Sequence, residues 1–238
     1  MKGTQAQLKV VNDSTRLIED IKMNLKQTVN TGLSRTTGCL ILPDGRLVLS
    51  CRVKNLVRVF NSNGNKEFEI NLNPCSVSDI TFISGDNTIA ATSGRQGSHN
   101  ISIIDLKNRK VSKQIRVNFS YYGVLYSDSR LITCAQTEGL HILKNRRRKV
   151  IEKIKNKEMS SFSYVAAFDN KIYYTNTFHF TVTCCDMKGT DLWTFKDTTV
   201  LTYPKGITVD NDGNVYVADQ LLIRLLFCRQ MERDHWNY

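Results

Sequence analysis

The residues able to do chemistry in this chain are its cysteines, a pair of aspartates and two runs of positive charge. A zinc ion needs Cys-x-x-Cys pairs and spaced histidines to complete its tetrahedron. Cys39, Cys51, Cys75, Cys134 and Cys228 are isolated, and the neighbours Cys184 and Cys185 point to opposite faces of any strand that holds them. They read as buried structural thiols. Their irregular spacing does not make a disulfide framework, and a reducing, cytoplasmic setting suits them best. A calcium ion takes about 6–8 oxygen ligands, and Asp79 and Asp210 are the acids placed to contribute. Asp79 reads as a turn residue and Asp210 as part of the turn Asp210-Asn211-Asp212-Gly213, and no acid recurs at matching positions elsewhere. The chain is therefore expected to have no catalytic residue, no metal site and no cofactor.

Lys and Arg total 33 against 22 Asp and Glu, a net charge of +11 at pH 7. Such an excess admits nucleic acid, acidic proteins and anionic surfaces as partners. Part of it is concentrated in Lys107-Asn108-Arg109-Lys110 and in Lys144-Asn145-Arg146-Arg147-Arg148-Lys149. Arg146, Arg147, Arg148 and Lys149 either grip phosphates or form a solvated hairpin tip. Hydrophobic residues at 41% and charged residues at 23% are ordinary for a globular protein. No apolar run approaches the roughly 18 residues of a membrane span, and Met1 to Val11 lack the apolar stretch of a secretory signal.

The elements that must position these groups follow from an internal repeat. Cys39-Leu40-Ile41-Leu42, the turn Pro43-Asp44-Gly45, and Arg46-Leu47-Val48-Leu49-Ser50 make an apolar hairpin. It recurs at Ile80–Ala91, Val124–Thr133, Val165–Tyr174 and Ile207–Val217. The first large apolar residues of the second strands are Leu47, Ile89, Leu131, Ile172 and Val215, at intervals of 42, 42, 41 and 43. Each hairpin but the last is followed by a third apolar strand and a more polar fourth, such as Val57–Phe60 and Glu67–Ile70. A repeat of about 40–45 residues with four short strands marks a blade of a β-propeller. The first two strands of each blade are nearly continuously apolar, as strands packed on both faces are. The fold class is all-β.

The stretch Pro204-Lys205-Gly206-Ile207-Thr208-Val209-Asp210-Asn211-Asp212-Gly213-Asn214-Val215-Tyr216-Val217-Ala218-Asp219 resembles an NHL repeat, with looser copies at 39–65 and 80–107. The resemblance spans about residues 18–219 and is closest to the propellers that end invertebrate TRIM-type proteins. It implies a six-bladed ring following a RING finger, B-box and coiled coil, where the propeller recognises protein or RNA and the RING transfers ubiquitin. The earlier blades lack the Pro-x-Gly start and the terminal Asp.

In such a ring the loops between second and third strands, and the connections between blades, share one face, where the resembling proteins bind. On it fall Arg52, Lys54, Arg95, His99, Tyr121, Tyr122, Phe178, His179, Tyr203 and Lys205, while the two basic runs fall on the opposite face. Arg and Tyr are what protein hot spots use, and the same mixture suits RNA. The expected function is non-catalytic partner recognition, as the target-binding propeller of a TRIM-type protein whose RING and oligomerising coiled coil lie elsewhere. RNA binding is the alternative, and a calcium-dependent propeller hydrolase is a remote one. No membrane partner is expected.

The expected layout is an N-terminal extension over 1–17, the propeller over 18–219 and an atypical tail over 220–238. The propeller's blades begin near 39, 79, 123, 164 and 206, giving about four and a half blades. Asp20–Val29 alternates apolar and polar residues and reads as an outer strand closing the ring, or as a short amphipathic helix ending a coiled coil. The tail Leu221–Arg233 shows neither alternation nor turn where a third strand is due. Read one nucleotide earlier, the triplet spanning Met231 and Glu232 becomes Gly, the one before it Asp or Asn, and the one spanning Phe227 and Cys228 Leu. That restores a turn 17 residues after Val215, the spacing from Leu47 to Gly64 and from Ile172 to Gly189. A shifted reading frame, a genuine alternative terminus and chance are the three readings, and on the first the chain is a truncated, open arc.

Overall fold

The computed structural model describes residues 24–94, 99–144, 150–155, 158–221 and 224–228. Arg95, the run Arg146 to Lys149, the extension 1–17 and the tail beyond Cys228 lie outside them.

Among the described residues, nineteen strands are grouped in five antiparallel sheets in chain order. Blade one holds β1 (Thr36–Ile41), β2 (Leu47–Cys51), β3 (Leu56–Phe60) and β4 (Lys66–Asn71). Blade two holds β5 (Asp79–Ile83), β6 (Thr88–Thr92), β7 (Asn100–Asp105) and β8 (Lys110–Arg116). Blade three holds β9 (Tyr121–Ser127), β10 (Arg130–Ala135), β11 (Gly139–Lys144) and β12 (Val150–Lys155). Blade four holds β13 (Val165–Phe168), β14 (Lys171–Asn176), β15 (Thr181–Asp186) and β16 (Asp191–Phe195). The fifth sheet holds β17 (Pro204–Val209), β18 (Val215–Asp219) and β19 (Arg224–Cys228). The first strands β1, β5, β9, β13 and β17 are successive neighbours around a common centre. The chain is a partial β-propeller, all-β as expected.

Turn chemistry sets the hairpins. Gly45 at φ 85° and Gly213 at φ 82° supply the left-handed backbone after β1 and β17. The two-residue turns Asp128-Ser129 and Asp169-Asn170 reach positive φ at both positions without glycine, the geometry whose twist matches the flanking strands.

Alternating side chains pack the second, third and fourth blades on both neighbours. Ile89 and Ala91 join Leu40, Val48 and Val59 of blade one, while Ala90 between them joins Val124 and Leu131 of blade three. Ile172 and Tyr174 face Ile132 and Leu140, and Tyr173 faces Val209 and Val215. Cys185 and Cys184 divide in the same way between blades three and five, so their adjacency serves packing.

Three expectations about packing and strand layout change. Cys39, read as buried, is exposed, because it pairs with Leu49 on the face of blade one turned away from the blade-two core. Residues 24–29, expected as the described part of a closing strand, form no strand. Gln27 and Val29 lie instead against Gly64, in a turn whose backbone groups already bond one another, so no ladder is open to them. Finally, Arg224–Cys228, in the stretch set apart as a tail, pairs with β18 from Val215↔Cys228 to Asp219↔Arg224, and supplies the third strand due there.

Candidate functional site

Strands β1, β5, β9, β13 and β17 line a central cavity of about 1220 Å³, whose walls include Ile41, Phe82, Val124, Tyr126, Tyr164 and Thr208. At one mouth, residues from three blades converge on Phe162, in the connection from β12 to β13. The Arg52 guanidinium, from the β2–β3 turn, lies 5.2 Å from the Phe162 ring centre. The Lys205 ammonium lies 3.4 Å from the same centre and 4.6 Å from that of Tyr203. Tyr122, at the start of β9, packs its ring at 6.0 Å from Phe162. A cation over a ring face is held by the ring's quadrupole, more strongly as water is excluded.

The backbone under these groups is fixed by buried polar side chains. Asp219, at the end of β18, accepts N–H bonds from Thr202 at 2.7 Å, Tyr203 at 2.6 Å and Leu221 at 3.0 Å, with the Thr202 hydroxyl at 3.1 Å. It therefore holds the loop that presents Tyr203 and Lys205. From β14, Thr175 donates its hydroxyl to the Lys205 carbonyl at 2.8 Å, and from the turn that follows, Thr177 donates to that of Pro204 at 2.7 Å. Burial, and then the charge of Arg52, bring the Lys205 ammonium down to about 8.

Deeper in, Asp79 departs from its expected place in a turn. It opens β5, is 8% exposed, and accepts N–H bonds from Ile80 at 2.9 Å and from Val124 of blade three at 3.0 Å. Burial pushes its carboxyl up to about 7 against the opposing pull of these two bonds. It is an inter-blade tie, reinforced where Tyr126 donates its N–H to Thr81 Oγ1 at 3.0 Å. Asp210 stays in its turn, accepting from the Asp212 and Asn214 backbones, the Asn214 amide and the Tyr216 hydroxyl. Among the described residues, no three His, Cys, Asp or Glu side chains gather as a metal site.

Of the residues expected on the binding face, Arg52, Tyr122, Tyr203 and Lys205 come together. Tyr121 does not belong to that surface: it is fully buried and its hydroxyl bonds His141 Nδ1 at 3.0 Å. It sits one residue before Tyr122 on a strand, so the two side chains take opposite faces. Lys54 donates to the Gly32 carbonyl at 3.3 Å, and His99 Nδ1 meets the Ser120 hydroxyl at 3.3 Å. Phe178, 71% exposed, pairs edge-on with His179 at the β14–β15 turn. Phe162 itself was missed. Its signal was an aromatic inside Ser160-Ser161-Phe162-Ser163, a polar connection with no core of its own to fill.

A family model described as a beta-propeller repeat matches residues 197–218, the segment that carries Tyr203 and Lys205. No curated protein sequence matches the chain. Among solved structures, a protein of unknown function from Bacteroides thetaiotaomicron is similar at TM-score 0.67 and 16% identity, over 79% of this chain and 53% of that one. Virginiamycin B lyase from Staphylococcus aureus is similar at TM-score 0.62 and 17% identity, over 82% of this chain and 67% of its own. A chain of the nidogen–laminin complex gives TM-score 0.66 and 13% identity, over 82% and 75%. The chain thus spans about half the length of the Bacteroides protein. At these identities the likeness is one of fold.

Proposed function

We propose that this propeller is a non-catalytic recognition module that binds a protein segment at the mouth bounded by Arg52, Phe162, Tyr203 and Lys205. The observation that carries the reading is the convergence of Arg52 and Lys205, from the first and fifth blades, on one aromatic ring. Half-buried aromatic and Arg anchors beside a concave, partly apolar cavity are what protein hot spots use. The NHL-like stretch over 204–219 supports the narrower reading of a TRIM-type target-binding propeller. The free thiols suit a reducing, cytoplasmic compartment. Among the described residues, no helix is long and apolar enough to cross a membrane.

RNA recognition is the other reading of the +11 charge. Stacking of bases needs open ring faces, whereas here Phe162 and Tyr203 each carry a cation over the ring. The mouth therefore favours a protein. The test is capture of a binding partner by the wild-type chain and by the double variant Arg52→Glu/Lys205→Glu. Capture should be lost while the double variant still unfolds in one cooperative thermal transition, which separates loss of the site from loss of the fold. Undiminished capture by the double variant would remove the mouth from the binding surface.

A further inference from the structure

Arg52 and Lys205 share one ring, yet among the described residues neither has an ion-pair partner. The ion pairs present engage Arg46, Arg58, Lys66 and Lys153. Asp219, the acid that holds this loop, directs its oxygens to Thr202, Tyr203 and Leu221. The shift of Lys205 reflects burial and a like charge, with no carboxylate opposing them. Two half-buried cations that repel one another are held together by the fold, which is costly unless an anion joins them.

Resting on the partner-recognition reading above, we infer that the mouth binds a carboxylate group of a protein segment, seated between Arg52 and Lys205. A guanidinium matches a carboxylate with two parallel N–H bonds, and an ammonium adds a compact charge free to turn toward it. The cavity wall they adjoin includes apolar Ile41, Phe82 and Val124 and hydroxyl-bearing Thr36 and Thr208. The acid of the bound segment is therefore flanked by an apolar residue that enters the cavity. A carboxylate has two sources in a protein, an Asp or Glu side chain and the chain's C-terminus, and both present the same group.

The probe is a displayed library of random peptides selected on the full chain. Selected peptides are resynthesised with amidated C-termini, then with each Asp or Glu changed to Asn or Gln. Loss of binding on one acid-to-amide change identifies a side-chain carboxylate, and loss on C-terminal amidation identifies a terminal one. In either case Arg52→Gln and Lys205→Gln should each weaken binding at least roughly tenfold, and Lys205→Arg should retain most of it. Peptides that need Phe162 but tolerate every amide replacement would overturn the carboxylate and leave the recognition site standing. Binders indifferent to Arg52, Phe162 and Lys205, a library without binders, or displacement of the peptides by RNA alone at physiological salt would overturn both.

Discussion

Tyr164 donates its hydroxyl to the carbonyl oxygen of Thr37 over 2.7 Å, tying the start of the fourth blade to the first strand of the first. The residues that form the mouth are close by: Phe162 lies two positions before Tyr164, and Arg52 belongs to the same blade as Thr37. The Thr37 hydroxyl is itself engaged, 3.1 Å from that of Ser50 and donating to the Val77 carbonyl at 3.3 Å. The bond across the ring thus sets the approach of Arg52 to Phe162. Tyr164→Phe should cost about 1 kcal/mol of stability and also weaken binding at the mouth, read by urea unfolding and by peptide affinity. Lost stability with full affinity would mean that the tie plays no part in shaping the site.

Close backbone approach between blades three and four depends on Gly123. Its N–H donates to the Ser163 carbonyl at 2.9 Å. A Cβ there would lie 2.6 Å from the Ser163 carbonyl oxygen and 2.6 Å from the Tyr164 Cα, backbone atoms that cannot swing aside. Gly123→Ala should cost about 1–3 kcal/mol, whereas Gly85→Ala, with nothing within 4 Å of the new methyl, should be nearly neutral. Chemical denaturation of the pair checks this, and equal midpoints would refute the packing of these two blades.

Asp79 makes stability depend on pH. Its folded carboxyl is raised to about 7 from an ordinary 3.8, so between these values the folded state holds a proton that the unfolded state has lost. The contribution of Asp79 to stability is then largest below about pH 4, falls as pH rises toward about 7, and levels off above it. Asp79→Asn should abolish that slope in urea midpoints measured from about pH 4 to 8. It also sets an amide N–H against one of the two backbone donors, so the variant should be less stable than wild type at low pH. A slope unchanged in the variant would place its origin elsewhere.

Lys205 gives the mouth a pH dependence of its own. Its ammonium is lowered to about 8 and is faced by Arg52, Phe162 and Tyr203. A bound anion favours the charged form, so affinity for an acidic peptide should be level up to about pH 8 and decline above it. Lys205→Arg should flatten the profile, because a guanidinium stays protonated throughout. Titration calorimetry across this range checks it, and a decline that persists in Lys205→Arg would exclude Lys205 as the source.

How much of this was legible in the sequence differs by level. The spacing of Leu47, Ile89, Leu131, Ile172 and Val215 located every second strand, because most positions on both of its faces are buried and apolar. Strand ends ran one to three residues further than the apolar core, as at Tyr121 and Asn176, where the ladder continues within the blade to Ala135 and Thr181. Topology placed Arg52, Tyr203 and Lys205 on a common face, since antiparallel connections alternate between the two ends of a blade. Their convergence on Phe162, and the burial of Tyr121 and Asp79, depend on packing between blades some 40 or more positions apart (Asp79 with Val124, for example, at 45). Strand periodicity carries no information about such pairs. Cys39 misled because an apolar-looking strand position is buried only where a neighbouring blade covers it.

The most direct measurement of the central claim is photo-cross-linking from two faces of the same propeller. A benzophenone side chain is placed at position 162 in one variant and at position 109 in the other. Arg109 is exposed and lies in the β7–β8 turn, at the end of the blade opposite the β2–β3 turn that carries Arg52. With a bound peptide from the library, irradiation should join peptide to protein from position 162 and leave position 109 unlabelled. Adding Arg52→Glu and Lys205→Glu should abolish the product. Cross-linking from position 109 with none from position 162 would contradict recognition at the mouth and move the binding surface to the face of the basic turns.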